Sequence, residues 1–180
     1  TMQVAQRLYE DGHITYMRTD GVDIAAEALA AIRNVIADRH GGRYLPERPR
    51  HYQAKAKNAQ EAHEAIRPTD VSRHPSSLAG KLEGEQARLY EMIRQRTVAC
   101  QMAAAEFERT TVDIDAGDEA RKVGLRATGQ VERFNGFLAV YQEGRDDVPA
   151  SRRSEEDDDD GRLPPMAAGD ALSEHGIAVE

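Results

Sequence analysis

The chain reads as an α+β protein, with a helical part over residues 1–103 followed by a partial antiparallel β-rich part over residues 104–180. Three observations predict this. Apolar residues recur at helical spacing in the first part, they take a two-residue period after about Ala104, and the charge balance changes at the same place. Residues 1–103 hold 15 basic and 13 acidic side chains, residues 104–180 hold 9 and 19, and the 180-residue chain carries a net charge of −8.

The elements follow in order. Met2, Ala5, Leu8 and Tyr9 mark one face of a short helix that Gly12 ends. Ala25, Ala28, Leu29, Ile32, Val35 and Ile36 make a longer stripe, stopped by Gly41 and Gly42. Pro46, Pro49, Pro68 and Pro75 break the middle, so residues 43–80 read as loop apart from a helical turn or two around 59–66. A third helix is expected from about Glu85 to Met102, with Leu89, Ile93, Thr97 and Cys100 aligned at near-helical spacing, which makes Cys100 a small buried apolar residue. Val112 and Ile114 alternate with polar neighbours, as do Val123, Leu125 and Ala127, with 116–119 as the turn. Asn135-Gly136 reads as a further hairpin turn, or the 137–141 run as a turn of helix. Two or three strands make a marginal sheet, one that sequence outside the chain would complete.

Composition narrows the class. Hydrophobic residues at 39% allow a core, and no run approaches the roughly 18 consecutive apolar residues of a membrane span. One cysteine, Cys100, excludes a disulfide framework and a multi-cysteine zinc site, and fits a reducing, cytoplasmic setting. The chain opens at Thr1 without an initiator methionine and stops at Glu180 with no capping signal, which reads as an excised segment. The acidic run 155–160 is read as part of a disordered loop near 144–162 and not as a metal site, because adjacent like charges repel and stay solvated.

Two segments carry chemistry. In His13-Ile-Thr-Tyr-Met-Arg-Thr-Asp20, an extended backbone would put Ile14, Tyr16 and Arg18 on one face and Thr15 and Met17 on the other. A phenol beside a guanidinium suits attack on a phosphodiester, with the tyrosine as nucleophile and the arginine holding the phosphate oxygens. A free phenol has a pKa of about 10, so only about one in a thousand is ionised at neutral pH. Asp20, His63 and His13 are the candidates for helping the proton leave, and Asp20 could equally orient Arg18. The same spacing also suits a tyrosine packed in a strand with an arginine on its rim. In Asn58 to Asp70, a helix would align Ala59, His63 and Arg67, presenting an imidazole and a guanidinium to a phosphate until Pro68 ends it. A capping histidine beside a solvated arginine fits this spacing too. Between them Arg43, Arg48, Arg50, Lys55 and Lys57, with Tyr44 and Tyr52 interleaved, form a basic stretch that could dock a polyanion or be a solvated loop.

Gly12 to Asp20 and Ala59 to Asp70, in this order and spacing, resemble the active-site segments of bacterial type IA DNA topoisomerases. The resemblance continues through 1–10, 98–102, 109–112, 134–137 and 161–165. It implies an isomerase, independent of ATP, that cleaves one DNA strand through a 5′-phosphotyrosine link, passes another strand and religates, relaxing negative supercoils. Tyr16 would be the nucleophile. Arg18 would position Tyr16 and the phosphate, Asp20 would support it, His63 would contact phosphate near the nick, and Thr19 and Arg67 would add DNA contacts. Family members commonly carry serine where this chain has Gly21, which leaves any hydroxyl contact there in doubt. The resemblance also implies a tyrosine-bearing gate domain over 1–103 and half of a β-rich arch or hinge over 104–180. Mg²⁺ would be bound outside this segment, with none within it. DNA, chiefly single-stranded, and other domains of the same polypeptide would be the partners, with no membrane, in the cytoplasm at the nucleoid. The segment alone would be inactive. A non-catalytic single-strand-binding module, in which Tyr16 stacks on a base, is the competing expectation, and a purely structural interaction domain is a third.

Overall fold

A computed structural model describes residues 1–52, 63–82, 84–117, 121–141 and 162–172. Helix α1 (Met2–Glu10) forms where Ala5 and Leu8, three apart, turn to one side and are buried, leaving Met2 and Tyr9 exposed. Its end is a Schellman turn: Gly12, at φ +74, donates to the Tyr9 carbonyl (2.9 Å), and the His13 N–H reaches the Leu8 carbonyl (2.8 Å). Helix α2 (Ala26–His40) buries Leu29, Ile32 and Ile36 and stops at Gly41, φ +90. Helix α3 (Gly84–Ala99) buries Gln86, Tyr90, Arg94, Thr97 and Val98.

That last list differs from expectation. The stripe Leu89, Ile93 and Cys100 is only half-buried, and the buried face lies one residue over. The reason is that polar groups on this face find backbone partners: the Arg94 Nε donates to the Val71 carbonyl (3.1 Å), the Tyr90 hydroxyl to the Arg73 carbonyl (2.9 Å) and the Thr97 hydroxyl to the Ile93 carbonyl (2.8 Å).

Two compact units arise from the contacts. One takes Thr1–Ala105 together with the segment beginning at Asn135, and the other includes Glu106–Phe134. The first holds two apolar clusters. Ala5, Leu8, Ile14, Met17, Leu78 and Tyr90 form one, and Ile32, Ile36, Val71, Val98 and Met102 form the other, with Tyr44, Leu45 and Phe137 packed against it. After Asn135 the chain takes a turn of 3₁₀ helix over Gly136–Ala139, so the helical alternative for this run is the one that forms.

The second unit is built on an antiparallel pair, β1 (Glu106–Gly117) and β2 (Lys122–Phe134). Val112 lies opposite Ala127 and Ile114 opposite Leu125, which keeps the apolar residues paired across the strands. Val112, Ile114 and Ala116 are half-buried between exposed neighbours, while Val123 and Leu125 stay exposed on the partner strand. Salt bridges Arg126–Asp113 (2.6 Å) and Arg133–Glu108 (2.5 Å) tie the strands at the surface. Among the described residues no helix is long and apolar enough to cross a membrane. The acidic run 155–160 lies outside the described residues, as does all of the 144–162 loop expectation except Arg162.

Candidate active site

The turn at Gly12 throws the chain back over α1, and residues 13–18 run along the first apolar cluster. Ile14 (1% exposed) and Met17 (8%) point into that cluster, whereas Tyr16 (36%) and Arg18 point out. The alternation expected from an extended strand therefore fails at one point. Ile14 does not share a face with Tyr16, because the backbone bends at Thr15, Met17 and Arg18 and only Ile14 makes a strand-like bridge.

That bridge is to Pro68, antiparallel, and it joins the two chemistry-bearing segments. The Thr15 N–H donates to the Arg67 carbonyl (2.9 Å) and the Thr69 N–H to the His13 carbonyl (3.1 Å). The Thr15 hydroxyl works in both directions, donating to the Ala65 carbonyl (2.8 Å) and accepting from the Arg67 N–H (2.9 Å). The Thr69 hydroxyl closes the end on the Gly12 carbonyl (2.7 Å). Fastened in this way, residues 63–67 are not helical, and the four-residue alignment of His63 with Arg67 is lost. Pro68, without an N–H, is well suited to a buried bridge position where only its carbonyl is used. Ala59, Lys55 and Lys57 lie outside the described residues.

The result is a surface phenol with two aromatic rings packed against it. The Tyr9 ring stands edge-on to Tyr16 at 5.4 Å between centroids and 72°, and the His63 ring lies tilted against it at 5.3 Å and 42°. Arg18, exposed, gives its Nη2 to the Gln6 Oε1 (3.4 Å), and Gln6 in turn donates to Glu10 (2.9 Å). Among the described residues no ion pair joins Arg18 to Asp20, which is exposed. Of the three groups named as proton acceptors for Tyr16, His63 packs on its ring; His13 is turned away, its ring 6.2 Å from Tyr90 and its Nδ1 buried without a partner.

Arg67 is held rather than free. Glu64 pairs with it at 2.6 Å, and the other Glu64 oxygen accepts the Ala25 N–H (3.2 Å) at the start of α2. The Thr19 hydroxyl oxygen accepts the Gly21 N–H (2.9 Å), a local turn. Asp70 accepts from the Ser72 hydroxyl (2.6 Å) and amide, and that bond, helped by Arg73, holds its carboxyl below the usual range.

In the basic stretch, Arg43, Arg48 and Arg50 are exposed, but Tyr44 is half-buried against the second cluster and its hydroxyl is 2.8 Å from the Asn135 Oδ1, so it is a packing residue. Tyr52 remains exposed, its hydroxyl on the Cys100 carbonyl (2.7 Å). The backbone of Arg50 is clamped in both directions by the Gln101 amide (3.0 and 2.9 Å). Gly21, Ala65 and Ile66 border a cavity of about 400 Å³ that Arg50, Tyr52, Cys100 and Tyr141 also line. Burial pushes the Cys100 thiol up.

Sequence reasoning missed Tyr9, Gln6, Glu10, Thr15 and Glu64. A signal was present for three of them: Gln6 and Glu10 sit one turn apart on α1, and Tyr9 shares that exposed side. Among the described residues no three His, Cys, Asp or Glu side chains come together to hold a metal ion.

A family model described as DNA topoisomerase matches residues 1–180. The chain is similar to DNA topoisomerase 1 of Zymomonas mobilis, 53% identical over 95% of this chain and 13% of the relative. It is also similar to that of Xylella fastidiosa, 47% over 100% and 22%, and to that of Streptomyces coelicolor, 48% over 100% and 18%. Full-length topoisomerase I from Thermotoga maritima has a similar structure, with TM-score 0.62 and 32% identity, covering 78% of this chain and 23% of that one. The chain thus spans between an eighth and a quarter of the length of these proteins. With the family match complete and the identities this high, the chain belongs to the DNA topoisomerase family.

Proposed function

We propose that this chain is the nucleophile-bearing part of a type IA topoisomerase, acting within a longer polypeptide, and that Tyr16 is the residue that joins DNA. The observation that carries the reading is the exposed Tyr16 phenol in contact with the Tyr9 and His63 rings, with Arg18 two residues along on a segment fastened to 63–69.

In this reading the Tyr16 oxygen attacks a backbone phosphorus, the O–P bond forms, and the bond from phosphorus to the deoxyribose 3′ oxygen breaks. The phenolic proton departs and the 3′ oxygen takes one up. The 5′-phosphate stays on Tyr16, and the reverse attack by the freed 3′ hydroxyl reseals the strand. A phosphotyrosine ester keeps the energy of the broken bond, so the cycle needs no ATP. Arg18, released from its weak contact with Gln6, offers a fixed cation to the phosphate oxygens as charge builds. His63, whose ring packs on Tyr16, donates to the same phosphate in this reading, with Asp20 supporting at the edge. Thr19 and Arg67, with Arg43, Arg48, Arg50, Lys55 and Lys57, hold the strand on either side. Mg²⁺ is supplied by parts of the polypeptide outside this chain, the substrate is DNA presented chiefly as single strands, and the setting is the cytoplasm and its nucleoid. Residues 1–103, expected from sequence to be the gate, are joined by the segment beginning at Asn135, and the strand pair within Glu106–Phe134 forms part of the arch.

A covalent-adduct assay tests this. The full-length polypeptide, mixed with a labelled single-stranded oligonucleotide and Mg²⁺, should give a detergent-stable adduct that Tyr16→Phe abolishes. An adduct unchanged in that variant removes Tyr16 as nucleophile, and salt-dependent binding with no adduct favours the second reading, a single-strand-binding module whose exposed rings stack on bases. The 180-residue chain alone should not relax a negatively supercoiled plasmid, and relaxation by it would overturn the requirement for outside domains.

A further inference from the structure

The cavity of about 400 Å³ lies wholly within the first unit, and Tyr16 does not line it. Its volume falls in the range of small-ligand sites, about 300–1,000 Å³. Ile24, Met102 and Phe137 give it apolar walls, while Arg50, Arg96, Tyr52 and Tyr141 bring cations and rings. No carboxylate lines it. Among the described residues no ion pair takes up either guanidinium.

These groups are fixed before any ligand arrives. The Arg96 guanidinium lies over the Tyr141 ring, 5.2 Å from its centroid, and the Tyr141 N–H donates to the Phe137 carbonyl (3.1 Å). Across the cavity, the Gln101 amide clamps the Arg50 backbone and the Tyr52 hydroxyl donates to the Cys100 carbonyl, so residues 50–52 are tied to the end of α3. A site built in this way loses little freedom on binding. A guanidinium stacked on a phenol ring is a platform for a further planar group, and the cation at Arg50 suits an anion attached to that group. A planar ring carrying a phosphate is a nucleotide, and rings beside positive charge are what hold single strands without reading their sequence. Exposed Arg43 and Arg48 continue the positive charge beyond Arg50. Gly21 follows Asp20, and Ala65 and Ile66 follow His63 and Glu64, so one wall is made by the chain that leaves the phenol site.

We propose that this cavity is a second contact for single-stranded DNA, taking one unstacked base onto the Arg96–Tyr141 platform with its phosphate on Arg50. This rests on the reading of single-stranded DNA as the substrate and adds a subsite to it. Losing a stacking platform costs about fivefold to a hundredfold in single-strand affinity. Arg96→Ala removes the platform from an exposed position on α3 and should leave the fold intact.

The test uses the full-length polypeptide and a single-stranded oligonucleotide carrying 5-iododeoxyuridine, photo-cross-linked and mapped by mass spectrometry. Affinity is measured alongside for wild type, Arg96→Ala and Lys81→Ala, the last removing an exposed cation that does not line the cavity. The expected result is a cross-link on Tyr52 or Tyr141 that Arg96→Ala weakens, with an affinity loss well beyond that of Lys81→Ala. On an oligonucleotide with abasic sites, which keeps the phosphates and lacks the bases, the two variants should bind alike. Cross-links confined to residues outside the cavity, or an Arg96→Ala affinity equal to that of Lys81→Ala on the normal strand, overturn the proposal. An undiminished Arg96→Ala loss on the abasic strand overturns it as well, since Arg96 would then act only as a charge. The wild-type cross-link map decides the matter even if a variant fails to fold. A Tyr16-linked adduct without a cavity cross-link sinks this proposal alone, and a cavity cross-link without that adduct sinks the reading of Tyr16 as nucleophile, so the two failures are distinguishable.

Discussion

Thr15→Val probes the fastening between the two chemistry-bearing segments. Valine keeps the shape of threonine and removes one oxygen, the one that donates to the Ala65 carbonyl at 2.8 Å and accepts the Arg67 N–H at 2.9 Å. Each lost bond costs about 0.5–1.5 kcal/mol net, more where a buried partner stays unsatisfied. Thr15 is half-buried, so water reaches part of the gap and the sum stays near 1–3 kcal/mol. In a domain of this size about 1 kcal/mol moves the melting temperature by about 4 °C or somewhat more, which predicts a drop of about 4–12 °C. Thermal melting followed by circular dichroism reads it directly. The backbone bonds Thr15–Arg67 and Thr69–His13 survive, so the variant should remain folded with a looser His63 contact on Tyr16. A melting temperature within about 1 °C of wild type would refute the claim that this hydroxyl fastens the segments.

Acid should destabilise the first unit before its carboxylates titrate. Burial, and then Arg94 and Arg39, hold His40 and His74 below the ordinary 6.5. Between 6.5 and those lower values the unfolded chain binds more protons, so stability is full above about pH 7 and falls as pH drops through that window. His74→Asn keeps an acceptor for the Ser76 N–H and should flatten part of the melting temperature profile between pH 5 and 8; an unchanged slope contradicts the assignment. Asp70, held low by Ser72, adds a separate loss further down, as pH falls through its depressed value. Cys100, pushed up by burial and donating to the Thr97 carbonyl (3.0 Å), should react with a thiol reagent at least about tenfold more slowly in the folded chain than in denaturant, and equal rates would count against its burial. Single-strand affinity should fall with salt, and Arg48→Ala should reduce the log–log slope by about 0.7; a flat response removes the basic stretch as a phosphate contact.

Much of the scaffold was legible in the sequence. Apolar spacing and the glycines at 12 and 41 mark the ends of α1 and α2, and the two-residue period marks both strands and their apolar pairing, Val112 with Ala127 and Ile114 with Leu125. The site was legible segment by segment, since Tyr16 with Arg18, and His63, stand out as residue types. Their meeting in space was not, because it is made by backbone bonds and one hydroxyl, which leave no apolar pattern. The face of α3 was misjudged for a related reason: Tyr90 and Arg94 are buried there, and polar residues that reach loop carbonyls do not announce burial. Tyr44 looked like part of a docking surface, yet a partner 91 residues away in sequence draws it inward.

The most direct measurement is a peptide map of the DNA-linked protein. Full-length polypeptide trapped on a single-stranded oligonucleotide, digested and read by mass spectrometry, should carry its nucleotide phosphate on Tyr16. Finding it on Tyr9, the neighbouring phenol whose ring lies 5.4 Å away, or on any other residue, would contradict the account.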